Sequence, residues 1–386
     1  MNGGAEKLRI FPLASSCALA VSVTYVSQPV LPLIGISFGQ DASAVGLIIT
    51  LTQVGYATGL LFLVPLADRI ARRKLIKFLV FFNLLSALAC AVASSFLVLL
   101  AASFFLGASA VTAQIIIPTV SGLTPAPRRG RVIGALLSGM AAGPLLARIV
   151  SGLVASSTSW REVFFLAATL DTLLLTCILW ALPTTTSTSD LSWSALMRSL
   201  VQLLRQSRPL REACFCGATM FGVFSAVWAS LASLLARPPY NFPVSIIGLF
   251  GLIGIVSIVS APVTGSWVDK AGSRHLLISA SAVSLFAVCG LAMFGTSLFP
   301  LIACLGCLDL ANRVSLVANQ ARSQDTAGEA RARVNTVFMA SYFLGGAVGA
   351  AAGSFAVSHA AWMGLGVVGS LLSIFAMVVS VRSGNR

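Results

Sequence analysis

The chain has 386 residues, 57% of them hydrophobic and only 9% charged, with a mean hydropathy of +0.95 and a formal net charge of +14. Soluble domains carry about 25% charged residues and must turn much of their surface to water, so this composition excludes an ordinary soluble enzyme or binding module. The positive charge does not argue for nucleic acid, because the basic residues fall in short clusters between apolar runs, the arrangement that orients helices in a membrane.

The first nine residues are short and polar, with Lys7 and Arg9, and the apolar run after them is long enough to span. They read as the lead into a retained first helix rather than a cleaved leader. Runs of about 20 mainly apolar residues mark membrane spans. They are expected at 12–36, 44–66, 76–96, 98–123, 132–155 and 162–182, then at 212–236, 244–266, 275–296, 298–320, 333–356 and 361–381. The fold class is therefore all-α integral membrane, with 12 transmembrane helices. Lys and Arg collect on one side, in the two tails and after spans 2, 4, 6, 8 and 10, for 21 of the 25 residues. Only Arg161 and Arg237 fall in opposite loops, and Arg148 and Arg313 lie within spans. This asymmetry places both termini in the cytoplasm of a cell with a bacterial-type inner membrane.

Residues 183–211 form the longest polar stretch, ending in an amphipathic run in which Leu196, Leu200, Leu203 and Leu204 alternate with Arg and Gln. It reads as a cytoplasmic linker with a short helix on the inner membrane face, between an N-terminal bundle (1–182) and a C-terminal bundle (212–386) of six helices each. The halves repeat. Asp68 recurs as Asp269, Arg129 and Arg131 as Arg331 and Arg333, Gly143 as Gly345 and Trp160 as Trp362, all 201 or 202 residues apart. Landmarks sharing one spacing indicate two pseudo-symmetric six-helix bundles.

The loop after span 2 carries Asp68, Arg69, Arg72 and Arg73, and that after span 8 carries Gly265, Asp269, Lys270, Gly272 and Arg274. A carboxylate among arginines at a helix end can face the positive N-terminus of another helix. Repeat symmetry sets Asp68 toward the start of span 11 and Asp269 toward the start of span 5, where they would tie the halves together on the inner side. Fixing topology is the plainer role for the same charges. Here the chain resembles the major facilitator superfamily, whose inner loops read G-x-L-a-D-r-x-G-r-r. The second copy keeps both glycines, whereas the first has Val64 and Ala71 in their places. Span 5 carries Gly139, Gly143 and Pro144, similar to the family's efflux-associated G-x-x-x-G-P-x-x-G-G, but ending in Ala147 and Arg148. Span 11 echoes it with Gly345 and Gly349. Ordinary close packing is the alternative reading of these small residues.

Charges inside spans are costly and are candidates for function. They are Arg148, Asp171, Asp309 and Arg313. Asp309 and Arg313 stand four apart on one helical face, where they either neutralise each other or serve a substrate or coupling ion. The resemblance implies that spans 1, 2, 4, 5, 7, 8, 10 and 11 line a central cavity, with Arg148, Asp309 and Arg313 facing it and Asp171 in support. Tyr25, Gln28, Gln53, Tyr56, Gln114, Asn312 and Asn319 add polarity on the same spans. The family's proton antiporters often have Arg in span 4, where this chain has Ser103.

Neither Cys214-x-Cys216 nor Cys304-x-x-Cys307 has a second pair to complete a metal site, and no phosphate-binding loop is present. No cofactor and no metal are expected. The resemblance implies a secondary active transporter of the 12-span drug- or sugar-efflux-like branch. It would work by alternating access, as a monomer in lipid, on a small-molecule substrate and with protons as the coupling ion. An uptake facilitator of the same fold, or a membrane channel or receptor, is the alternative.

Overall fold

The computed structural model describes residues 9–184, 192–324 and 330–382, except for the side chains of Ala126, Ala261, Pro262 and Asp269. Lys7, Arg386, part of the linker and the Asp269 side chain thus lie outside the description. All described elements are helices. Nine are long and apolar enough to cross a membrane, and one of these, Arg331–Arg382, is two helices run together across a break at Ala360 and Ala361. Spans 1 and 8 are cut into shorter pieces. Joined across their interruptions, the described long helices fall at the positions expected for the spans.

The interruptions of spans 1 and 8 have local causes. Span 1 consists of Ile10–Ser22 and Leu31–Phe38 with a turn between. There the hydroxyls of Ser22 and Thr24 bond back to the carbonyls of Leu19 and Val21 at 2.8 Å, and Pro29 has no N–H to give. Span 8 runs Val244–Leu249, a 3-10 turn Phe250–Gly254, then Ile255–Ala271, loosened by Gly248, Gly251 and Gly254. Span 4 breaks between Phe96–Ser109 and Thr112–Leu123.

Helices also run past the expected membrane boundaries. Arg128, Arg129 and Arg131, expected in a loop, lie in the first turns of Ala126–Ser157, which a proline near its start favours. Lys270 belongs to the end of Ile255–Ala271, and His359, between the spans expected at 333–356 and 361–381, is helical. The amphipathic segment forms Trp193–Gln206, burying Leu196 and Leu200.

The small residues set the spacing within each half. Gly139 and Gly143 let span 5 press on the carbonyls of Ala14 and Ala18 in span 1, where any Cβ would collide. Gly345, Gly349 and Gly353 do the same for span 11 against Ala218, Gly222 and Ala226 of span 7. The pseudo-symmetry extends to single hydrogen bonds. Arg73, at the start of span 3, donates to the carbonyl of Leu179 at the end of span 6. Arg274, at the start of span 9, donates to that of Val381 at the end of span 12 at 2.9 Å. Cations at helix C-termini are favourable, and here each staples a bundle closed.

The halves meet along spans 2 and 11 and along spans 5 and 8. Tyr56 packs on Phe343 with ring centroids 4.2 Å apart. A Cβ on Gly152 would lie 2.7 Å from the Val244 carbonyl, and one on Gly248 would lie 2.7 Å from that of Arg148, so these two spans are in backbone contact.

Candidate functional site

Directly below the Gly152–Gly248 contact lies a charged centre built from both halves. Arg148 and Asp309 are 4% and 3% exposed, values that water-facing side chains of this kind do not show. The Arg148 Nε donates to Gln28 Oε1 at 2.7 Å, and its guanidinium stacks on the Trp228 ring with 3.7 Å to the centroid. The Tyr25 ring lies 5.2 Å away. Trp228 Nε1 in turn donates to Asp309 Oδ1 at 3.3 Å, and Ser257 Oγ donates to Oδ2 at 3.2 Å. The chain of contacts therefore runs from span 1 through spans 5 and 7 to spans 8 and 10. The interruption of span 1 places Gln28 there, and the 3-10 turn of span 8 brings Gly251 against the Arg148 side chain.

Arg148 and Asp309 form no ion pair, and neither do Asp309 and Arg313, despite their spacing of four. Simple mutual neutralisation on the span-10 helix is not the arrangement found. Arg313, half-buried one helical turn from Asp309, makes no hydrogen bond or ion pair among the described residues. Nearby, Gln53 Nε2 donates to Ser225 Oγ at 3.0 Å, the Tyr342 hydroxyl donates to Asn312 at 3.1 Å, and Gln114 reaches the Tyr56 hydroxyl. Asn319 instead bonds to Ser315 on its own helix. Trp228, Ser257, Ser225 and Tyr342 were not singled out from sequence. A lone Trp or Ser in an apolar run gives no signal of the face it occupies.

Below this centre spans 5 and 8 part. Leu145 and Gly254 are still in reach of each other. Gly134 and Gly265 lie about three helical turns further toward the basic end on the same faces, yet nothing approaches either within 4 Å. Spans 5 and 8 are thus separated at their basic ends, while the charged centre itself stays buried.

The loop residues occupy that basic side. Asp68 lies 4.0 Å from Arg72, one turn on, and makes no other ion pair or hydrogen bond among the described residues. Gly272 has φ +77°, a conformation that favours glycine, whereas its counterpart Ala71 has φ −50° and needs none. The departure at Ala71 is thereby accommodated. Asp171 stands apart: 1% exposed and without a hydrogen bond or ion pair among the described residues, it lies with Asn83, Ser109 and Thr112 around a small gap in the N-terminal half. Among the described residues no cluster of three or more His, Cys, Asp or Glu could hold a metal.

Two helical halves of membrane-crossing helices, in contact at one end of spans 5 and 8, apart at the other and sharing a buried charged centre, have the build of a polytopic membrane transporter. The chain belongs to the Major Facilitator Superfamily, whose model matches residues 13–319. It is 35% identical over 374 residues to the uncharacterized transporter YgaY of Escherichia coli O157:H7, covering 97% of this chain and 95% of that one. It is 33% identical over 384 residues to the probable transporter SCO4007 of Streptomyces coelicolor, covering 99% and 89%. Among solved structures, the nucleoside transporter NupG superimposes with a TM-score of 0.76 at 11% identity, covering 97% and 98%. The peptide transporter POT gives 0.76 at 14%, covering 97% and 94%. Membership makes this chain a multi-pass membrane transporter rather than an enzyme.

Proposed function

We propose that the protein exports a small molecule across the inner membrane by alternating access, with both termini cytoplasmic and a proton gradient as the driving force. The observation that carries this reading is the buried Arg148–Trp228–Asp309 centre, shared by both halves and lying where spans 5 and 8 begin to part toward the basic side. A substrate entering there would be released on the other side once the Gly152–Gly248 contact opened and the inner ends of spans 5 and 8 met. Asp68 and Asp269 would hold that second state, each against the opposite half. The pairing of Asp68 with Arg72 alone accords with an inner side that is open. Export rests on the likeness of Gly139, Gly143 and Pro144 to the efflux-associated motif. Proton coupling rests on family likeness and on the buried carboxylate of Asp309.

The test is counterflow and gradient-driven flux in vesicles of known orientation. Saturable exchange with net movement away from the basic face is expected. Non-saturable flux would point to a channel, and net movement toward the basic face would point to an uptake facilitator.

A further inference from the structure

We infer that the transported molecule is an organic anion, whose carboxylate or comparable acidic group is received by Arg148. This rests on the transport reading above and adds to it the charge of the cargo.

Two independent observations lead to it. The first is the state of the guanidinium. Arg148 has five N–H donors, and the only hydrogen bond they make among the described residues goes from Nε to Gln28. Its Nη2 is buried with no partner. The one carboxylate nearby is not within ion-pair distance, and both its oxygens already accept from Trp228 and Ser257. Stacking on Trp228 fixes the plane of the fork without using its donors. A planar fork held in place with its donors unspent matches the two oxygens of a carboxylate.

The second is the charge balance. The centre holds Arg148 and a single aspartate, Asp309, and a second arginine, the half-buried Arg313, stands one helical turn from Asp309 on span 10 without pairing with it. Uncompensated charge inside a membrane domain is expensive, and an anionic ligand removes it. A cationic cargo would leave Arg148 unpaired and add to the excess. The Tyr25 and Trp228 rings beside the fork suit an apolar or aromatic body attached to the acid.

The test measures thermal stability and direct binding of the purified full-length protein with matched probes. These are benzoate and phenylacetate, their neutral amides, and benzylamine. The acids are expected to stabilise the protein saturably, the amides at least tenfold more weakly, and the amine not at all. Arg148→Gln should erase the preference for acid over amide, and Arg148→Lys should retain part of it. If Arg148→Gln does not fold, the wild-type panel alone decides: equal binding of acid and amide, preference for the amine, or no binding of either acid overturns the inference. Flux of labelled benzoate in proteoliposomes is read separately. Binding without exchange would refute the transport reading while leaving the anion site standing. Arg148-independent exchange of neutral or cationic probes would do the reverse.

Discussion

Arg148 shows how one residue acquires a role from its surroundings. It replaces a glycine of the resembled motif, and its side-chain stem fits against span 8 because Gly251 offers no Cβ opposite its own. Its stacking on Trp228 is a desolvated cation–π contact, a class worth about 2 kcal/mol. Trp228→Leu should therefore weaken binding of a carboxylate probe by about tenfold or more, measured by titration, because it also removes the donor to Asp309. If Asp309 exchanges the coupling proton, Asp309→Asn should abolish flux driven by a pH gradient but spare substrate exchange in proteoliposomes. Unchanged gradient dependence would remove Asp309 from that role. Asp171 carries the opposite expectation. An isolated buried carboxylate contributes no pairing energy, so Asp171→Asn should leave transport intact and melting temperature unchanged or raised.

At the scale of the helix, glycine decides which rods touch. Span 5 rests on span 1 through Gly143, where a Cβ would meet the Ala18 carbonyl, while Gly130 on the same helix faces open space. Gly143→Leu should lower the melting temperature strongly, with a cost of about 1–3 kcal/mol or more from overpacking, and Gly130→Ala should not. Circular dichroism melts of the two variants in one detergent check this. The sequence readily shows the small-residue motif. It leaves the partner undecided, since a run of small residues fits against any smooth helix, and only the observed contacts assign it to span 1 rather than to the other half.

For the whole molecule, the decisive feature is that spans 5 and 8 touch at one end and part at the other. Gly248→Leu places a side chain into the Arg148 carbonyl and should prevent the outer contact from closing. The expected result is loss of flux, together with greater accessibility of the Arg148 centre from the outer face, read by labelling a cysteine introduced at Ser257 in a background cleared of the native eight. Asp68→Asn and Asp269→Asn should each impair flux while expression persists. Wild-type flux in both would leave these carboxylates only their part in topology.

Hydropathy, the one-sided placement of Lys and Arg, and the spacing of 201 or 202 residues were enough to establish lipid as the solvent, a helical fold and its internal repeat. Each is a property of the chain summed over about 20 residues or more, so local detail does not disturb it. The charged centre was legible in part: Arg148, Gln28, Tyr25 and Asp309 stand out because polarity in an apolar run is costly. Their mutual arrangement was not: of the two readings open for Asp309 and Arg313, pairing along the helix is not the one formed. Spacing along one helix says which groups share a face, but which of them meet depends on where span 1 unwinds and how closely Gly152 and Gly248 let two halves approach. Those are distances between segments far apart in the chain, and only the packed structure sets them.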